Sequence, residues 1–280
     1  MSQTPFGRRL CEVAENAASG GYRLFSLLDE QGPAPRAGQF YMLAAADGWG
    51  RESGRPYLPR AFSVASAEPA PEGVRLGFLA DPVGPGTRRL CELRPGEKVW
   101  VNGPLGQPFP SPREVLSGAA GAILVGGGIG VAPLALLRQE LAARNVAVRT
   151  LLGFRDERHS GGLDDLFACC EVRLASDDGH AGHRGYVTDL LAVMLQGDGA
   201  RGAVVYSCGP PPMLEAVREM CASRGVACRL ALEAPMACGF GACFGCAVPL
   251  ADGGYMRLCL DGPVVAGDAI ETALVAGSGH

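Results

Sequence analysis

The chain has 280 residues, enough for about two domains of roughly 150 residues each and for a sizeable core. It is 48% hydrophobic, and its 41 glycines and 21 prolines stay below the roughly 25–30% typical of low-complexity chains, so it is a loop-rich folded protein and not a disordered one. A net charge of −4 gives no clustered positive field, which argues against a nucleic-acid or anionic-membrane partner.

From about Thr4 to Pro110 the apolar runs are short: Tyr22–Leu28, Gln39–Leu43, Arg60–Val64, Val74–Leu79 and Glu97–Val101, with Gly and Pro clusters between them. Strands of this length and spacing predict an antiparallel barrel or sandwich. Inside this part, Arg60-Ala61-Phe62-Ser63 offers a cation and a hydroxyl for a phosphate and an aromatic for a flat ring. Val83-Gly84-Pro85-Gly86-Thr87 reads as a Gly-Thr turn with further N–H and hydroxyl donors. By composition alone, an ordinary surface cation accounts for Arg60 more readily.

From about Val115 to Leu230 the pattern changes. Ala122–Val125, Ala147–Leu152 and Ala203–Ser207 read as buried strands, and Pro133–Arg144, Gly185–Leu195 and Pro212–Ser223 as helices. Such alternation predicts a parallel sheet with helices on its faces. The charge-free stretch Ser117–Leu137 holds six glycines and Pro133, so a tight glycine turn between strand and helix explains it better than a membrane span. Gly126-Gly127-Gly128-Ile129-Gly130 would let a pyrophosphate approach the N–H groups at the start of the following helix, although a merely tight turn would look the same. Cys208-Gly209-Pro210-Pro211-Pro212-Met213 ends a later strand of the same sheet. Both loops then fall at the carboxyl edge, where such folds bind ligands.

The last fifty residues hold four of the eleven cysteines, Cys238, Cys243, Cys246 and Cys259, spaced C-x4-C-x2-C-x12-C. This is the plant-type [2Fe–2S] spacing. Glycines 239, 241 and 245 remove the Cβ atoms that would keep the backbone from wrapping closely around the sulfides. A structural zinc would favour paired knuckles, of which only Cys243 and Cys246 form one; free thiols are the remaining alternative. An odd cysteine total and an N-terminus without an apolar signal core lead us to expect the thiols in a reducing cytoplasm.

Taken together, these motifs resemble the ferredoxin-NAD(P) reductase superfamily and, within it, the electron transfer subunits of class B dihydroorotate dehydrogenases. The resemblance rests on Arg60–Ser63, Gly86-Thr87, Gly103-Pro104-Leu105-Gly106, the Gly126–Leu134 loop and Asp177-Asp178-Gly179 with Gly185–Thr188. It continues through the Cys208–Met213 turn and the cysteine cluster followed by Cys259–Val264. It departs at Ala61, where a proline is common. The fold it implies is multidomain: an antiparallel FAD-binding β-barrel (1–112), an α/β parallel-sheet NAD-binding domain (113–231) and a small C-terminal [2Fe–2S] module (232–280).

By the same resemblance FAD is held by Arg60, Ala61, Phe62, Ser63, Leu79, Ala80, Asp81, Gly86 and Thr87. NAD is held by Gly127, Gly128, Ile129, Gly130, Cys208, Gly209, Pro210 and Met213. The cluster is held by Cys238, Cys243, Cys246 and Cys259. The implied partner is a flavin-containing dihydroorotate dehydrogenase catalytic subunit in a hetero-oligomer, with an NAD(P)H-dependent ferredoxin, sulfide or hydrogenase reductase subunit as the alternative. No side-chain acid or base is needed, because NADH gives two electrons, a cluster takes one at a time, and a flavin converts between them.

Other tempting residues have plainer readings. His180 and His183 suit a solvated glycine loop better than a metal, and Cys169-Cys170 read as inert thiols. Asp164-Asp165 and Asp177-Asp178 read as cap or loop carboxylates. Glu233 is equally a contact at the redox end of the site or a surface carboxylate. Phe240 and Phe244, on the cluster loop, are expected to face outward as part of a docking surface.

Overall fold

The structure, a computed structural model, describes residues 7–50, 56–160, 166–167, 171–197, 200–275 and 277. Asp164-Asp165 and Cys169-Cys170 lie outside them. The first part of the chain forms β1 (Arg9–Ser19), β2 (Tyr22–Asp29), β3 (Phe40–Ala45), β4 (Arg60–Ser63), β5 (Ser66–Ala70), β6 (Gly73–Ala80), α1 (Pro85–Cys91), β7 (Lys98–Leu105) and α2 (Pro112–Val115).

The strands make one sheet in the order β4-β3-β7-β1-β2-β6-β5, with every pair antiparallel. Its two edge strands, β4 and β5, are consecutive in the chain. Only Val64 and Ala65 separate them, and the Ala65 N–H donates to the Gly77 carbonyl (2.8 Å), so the sheet curls until its edges meet. Phe25, Tyr41, Phe62 and Phe78 fill the interior with ring centroids 5.5–6.4 Å apart. The expected Gly-Thr turn is instead the beginning of α1: the Gly84 N–H donates to Thr87 Oγ1 (3.0 Å), and the Thr87 hydroxyl donates to the Gly84 carbonyl (3.2 Å).

The second part forms β8 (Gly121–Gly127), α3 (Val131–Ala143), β9 (Ala147–Phe154), β10 (Val172–Ser176), β11 (His183–Arg184), α4 (Val187–Gln196), β12 (Ala203–Cys208), α5 (Pro211–Ser223) and β13 (Cys228–Ala231). The sheet order is β11-β10-β9-β8-β12-β13, all parallel. The chain runs outward from β8 through β9 to β10, then returns to the other side of β8 as β12. The switch point of the topology therefore lies between the carboxyl ends of β8 and β12, where Gly126 is paired with Cys208. The charge-free stretch Ser117–Leu137 resolves into β8, a glycine turn and the start of α3, and no helix among the described residues is long and apolar enough to cross a membrane.

The last part contributes β14 (Ala247–Pro249) and β15 (Tyr255–Arg257), paired with each other, and β16 (Val264–Ala266), which pairs antiparallel with β13 and extends the second sheet. It also fastens to the barrel. The Gln107 N–H donates to the Gly262 carbonyl (2.5 Å), and Gln107 Nε2 donates to the Leu260 carbonyl (3.0 Å). Phe40, Met42 and Leu105 of the barrel share one apolar core with Cys246, Leu258 and Cys259.

Candidate redox site

The cysteine loop has the geometry its spacing predicts. Gly239 (φ +77°), Gly241 (φ +83°) and Phe244 (φ +58°) turn the backbone through left-handed conformations. A Cβ on Gly239 would lie 2.7 Å from Met42 Cγ, and one on Gly241 would collide with Leu260. Burial alone would raise the Cys238 thiol, but the N–H groups of Phe240, Cys243 and Ala242, with the Cys243 thiol, outweigh it and bring Cys238 down to about 7. Cys246 and Cys259 are buried with their Sγ atoms 3.2 Å apart, and burial followed by the Cys246 thiol pushes Cys259 up to about 12.

The sulfurs thus fall into two pairs, Cys238 with Cys243 and Cys246 with Cys259. Among the described residues no three His, Cys, Asp or Glu side chains close on a single ion. That arrangement fits two irons held by two sulfurs each.

The flavin motif borders an open seam in the barrel. β5 pairs with β6 only from Gly73 to Gly77, so Phe78, Leu79 and Ala80 are paired with β2 on one side but with no described strand on the other, and β4 is the edge strand facing the same gap. Arg60–Ser63 line one side of the seam and Leu79–Asp81 the other. Arg60 extends over Trp49 (5.9 Å to the ring centroid) and donates to the Leu58 carbonyl (2.7 Å). A Cβ on Gly86 would lie 2.9 Å from Arg60 Nε, so the two halves of the motif touch. Phe62 differs from expectation. Its ring is turned into the barrel, edge-on to Phe25 and Phe78, and only its backbone faces the seam, because alternation along β4 leaves Ala61 exposed and Ser63 half-buried instead.

The nucleotide loops interlock at the switch point. A Cβ on Gly130 would stand 2.6 Å from the Cys208 carbonyl, and one on Gly127 would stand 2.6 Å from Met213 Sδ and 3.0 Å from Pro210 Cδ. Gly209 meets Met213 and Gly127 in the same way. α3 starts at Val131 with Gly130 as its N-cap and no side chain capping its first N–H groups. Ile129 is half-buried beside them. Burial, then the charge of Glu233, pushes the Cys208 thiol up, which puts Glu233 near Cys208.

Sequence reasoning passed over Tyr22. Its hydroxyl lies 3.8 Å from the place of a Gly128 Cβ; burial, then the charge of Asp81, pushes it up to about 12, and its ring is edge-on to His159. Tyr22 therefore joins the seam to the nucleotide loop. Nothing in the seven-residue run Tyr22–Leu28 marks one tyrosine for that place. His180 is exposed in its loop, whereas His183 begins the short strand β11 and is paired with Asp189 (3.0 Å). Phe240 and Phe244 are 46% and 62% exposed, beside the exposed Cys243, so both face outward.

Residues 233–271 match the family described as the iron-sulfur cluster binding domain of dihydroorotate dehydrogenase B. A dihydroorotate dehydrogenase B (NAD(+)) electron transfer subunit from Caldanaerobacter subterraneus subsp. tengcongensis is 33% identical over 237 residues, covering 84% of this chain and 86% of that one. The chain belongs to this family of electron transfer subunits. The Bacillus velezensis member is 37% identical over 230 residues, covering 81% of this chain and 84% of its own.

Among solved structures, an NADH-dependent reduced ferredoxin-NADP oxidoreductase superposes with a TM-score of 0.79 at 24% identity, over 97% of this chain and 92% of that one. A ferredoxin NADP+ reductase from Neisseria gonorrhoeae with bound FAD and NADP gives 0.63 at 16%, over 78% and 92%. These likenesses are of fold. They agree with the family's expected architecture of antiparallel barrel, parallel-sheet domain and cluster-binding C-terminal part.

Proposed function

We propose that this chain binds FAD in the β4–β6 seam, a [2Fe–2S] cluster on Cys238, Cys243, Cys246 and Cys259, and NAD on the loops after β8 and β12. It passes electrons between them so that dihydroorotate oxidation in a partner catalytic subunit reduces NAD, a step of pyrimidine biosynthesis. In this reading the FAD domain spans residues 1–112, the NAD domain 113–231 and the cluster module 232–280, and the hetero-oligomer works in the cytoplasm. The observation that carries it is the order of the sites: the seam lies between the other two, with Tyr22 reaching Gly128 on one side and Met42, paired with Ala61, touching the cluster loop on the other.

FAD, when bound, converts between the two-electron hydride of NADH and one-electron steps. The chain supplies position. Arg60 offers its guanidinium to a phosphate, and Gly86 leaves room for it. Ala61, Phe62, Ser63, Leu79, Ala80 and Asp81 present backbone along the seam, while Thr87, its hydroxyl committed to Gly84, contributes through the main chain of α1. Gly127 caps the 3-10 turn of Gly128, Ile129 and Gly130 that leads into α3, and the N–H groups at the helix start are offered to the nucleotide. Cys208, Gly209, Pro210 and Met213 wall the same pocket, and the raised Cys208 thiol stays neutral there. Cys238, Cys243, Cys246 and Cys259 would hold the two irons of the cluster, which would supply one-electron steps. No side chain acts as acid or base.

The test is a cofactor count on the purified protein. One FAD, two irons and two labile sulfides per chain are expected. Zinc in place of iron, or no flavin, overturns the reading.

A further inference from the structure

We propose that Met42 is the bridge across which electrons pass between the flavin seam and the cluster, an inference that rests on the cofactor assignment above. Met42 lies in β3 and is paired with Ala61 of β4, so its backbone adjoins the edge strand of the seam. Its side chain leaves on the outer face. Tyr41 and Leu43, its neighbours in the strand, belong to the barrel core, whereas Phe40, Met42 and Leu105 belong to the core shared with Cys246 and Cys259.

The thioether meets the cluster loop at Gly239, the residue after Cys238. A Cβ at Gly239 would stand 2.7 Å from Met42 Cγ, 3.1 Å from Met42 Sδ and 3.2 Å from Leu105 Cδ1. Met42 is 2% exposed, so no water layer lies between strand and loop. Of the three barrel side chains in this joint, Phe40 is paired with β4 but lies against Gly106, and Leu105 lies against Gly239 but sits on β7, which does not adjoin β4. Met42 alone of the three touches both.

An uncharged, polarizable thioether holds the two sides together without placing a charge or a solvent molecule between them. Each crossing moves one electron: from the cluster side to the flavin side when NAD is reduced, and from the flavin side to the cluster side when NADH is the donor. No bond forms or breaks at Met42, and no proton moves there.

The experiment is single-turnover reduction of the cofactor-loaded protein by NADH without oxygen, with flavin and cluster bleaching followed as separate absorbance phases. Flavin, iron and sulfide counts and the spin signal of the reduced cluster are taken on the same samples. Met42→Ala is expected to slow the cluster phase, relative to the flavin phase of the same trace, by about tenfold or more, ~1.4 kcal/mol on the barrier. Met42→Leu, which conserves volume, restores it. Leu105→Ala, which loosens the same joint from a strand not touching β4, stays close to the unaltered protein. If Met42→Ala does not retain its cluster, Met42→Val carries the same comparison. A cluster phase undiminished in the Met42 variants, or slowed equally by Leu105→Ala, overturns the bridge. Unaltered protein that holds both cofactors but whose cluster never bleaches with NADH overturns the functional reading instead.

Discussion

Cys246 and Cys259 are separated by twelve residues in the chain, yet their Sγ atoms stand 3.2 Å apart in the buried part of the cluster loop. Two sulfurs that close and that buried can both be thiolates only with a cation between them, because their charges would otherwise be uncompensated. Cys246→Ser is therefore expected to abolish iron-cluster absorption while flavin remains bound in the seam. Iron and sulfide analysis checks it, and a full complement of both in the variant would remove Cys246 from the ligand set.

Arg60 donates to the Leu58 carbonyl and lies over Trp49, which holds its guanidinium beside Gly86. A charged hydrogen bond is worth about 1.5–3 kcal/mol, so Arg60→Ala is expected to weaken FAD binding roughly tenfold to a hundredfold. Fluorescence titration of dialysed protein measures this, and unchanged affinity returns Arg60 to the role of a surface cation.

At Gly130 the backbone (φ −62°, ψ −6°) suits any residue, so the cost of a side chain there is purely steric. The added methyl of Gly130→Ala meets the Cys208 carbonyl at 2.6 Å. Forcing the loops apart should cost about 1–3 kcal/mol of stability. The KM for NADH should rise while flavin content holds, and a KM that does not move would mean the two loops do not form one nucleotide site.

Glu215 of α5 ties down the C-terminal segment. It pairs with Arg218 (2.6 Å) and accepts from the Ala273 N–H (2.6 Å) and the Thr272 hydroxyl (3.1 Å). The Arg218 hydrogen bond, aided by Ala273 and Thr272, outweighs burial and holds its carboxyl below the usual glutamate range. A carboxyl lowered on folding stabilises at pH above its unfolded pKa, and that contribution is lost as pH falls through the folded value. Glu215→Gln is expected to cost about 1–3 kcal/mol at neutral pH. The difference in Tm should vanish on acidification below the ordinary glutamate range; a difference that persists in acid would assign the effect to shape and not to charge.

What the sequence discloses here is mostly local. The cysteine spacing, the glycine loop and the start of α3 are continuous signals, and the structure forms a tight loop, a glycine turn and a helix start at those places. β1 carries only Cys11, Val13 and Ser19 as buried positions among Glu12, Glu15 and Asn16, so its alternation is too weak to mark it as a central strand. The inward turn of Phe62 depends on the phase of a four-residue strand, which the motif does not specify. Gly84–Thr87 looks like a turn because Pro85 and Gly86 mark turns and helix starts alike. Tyr22 and Met42 owe their places to tertiary packing, and no neighbour in sequence signals either.

The central claim, that this chain couples a dihydroorotate-oxidising subunit to NAD, is tested most directly by NADH formation from dihydroorotate and NAD with the purified chain, the catalytic subunit and the two combined. The account predicts NADH and orotate in equal amounts from the combined subunits, and no NADH from either alone. NADH formation by this chain alone, or a stable, fully loaded complex that forms none, would contradict it.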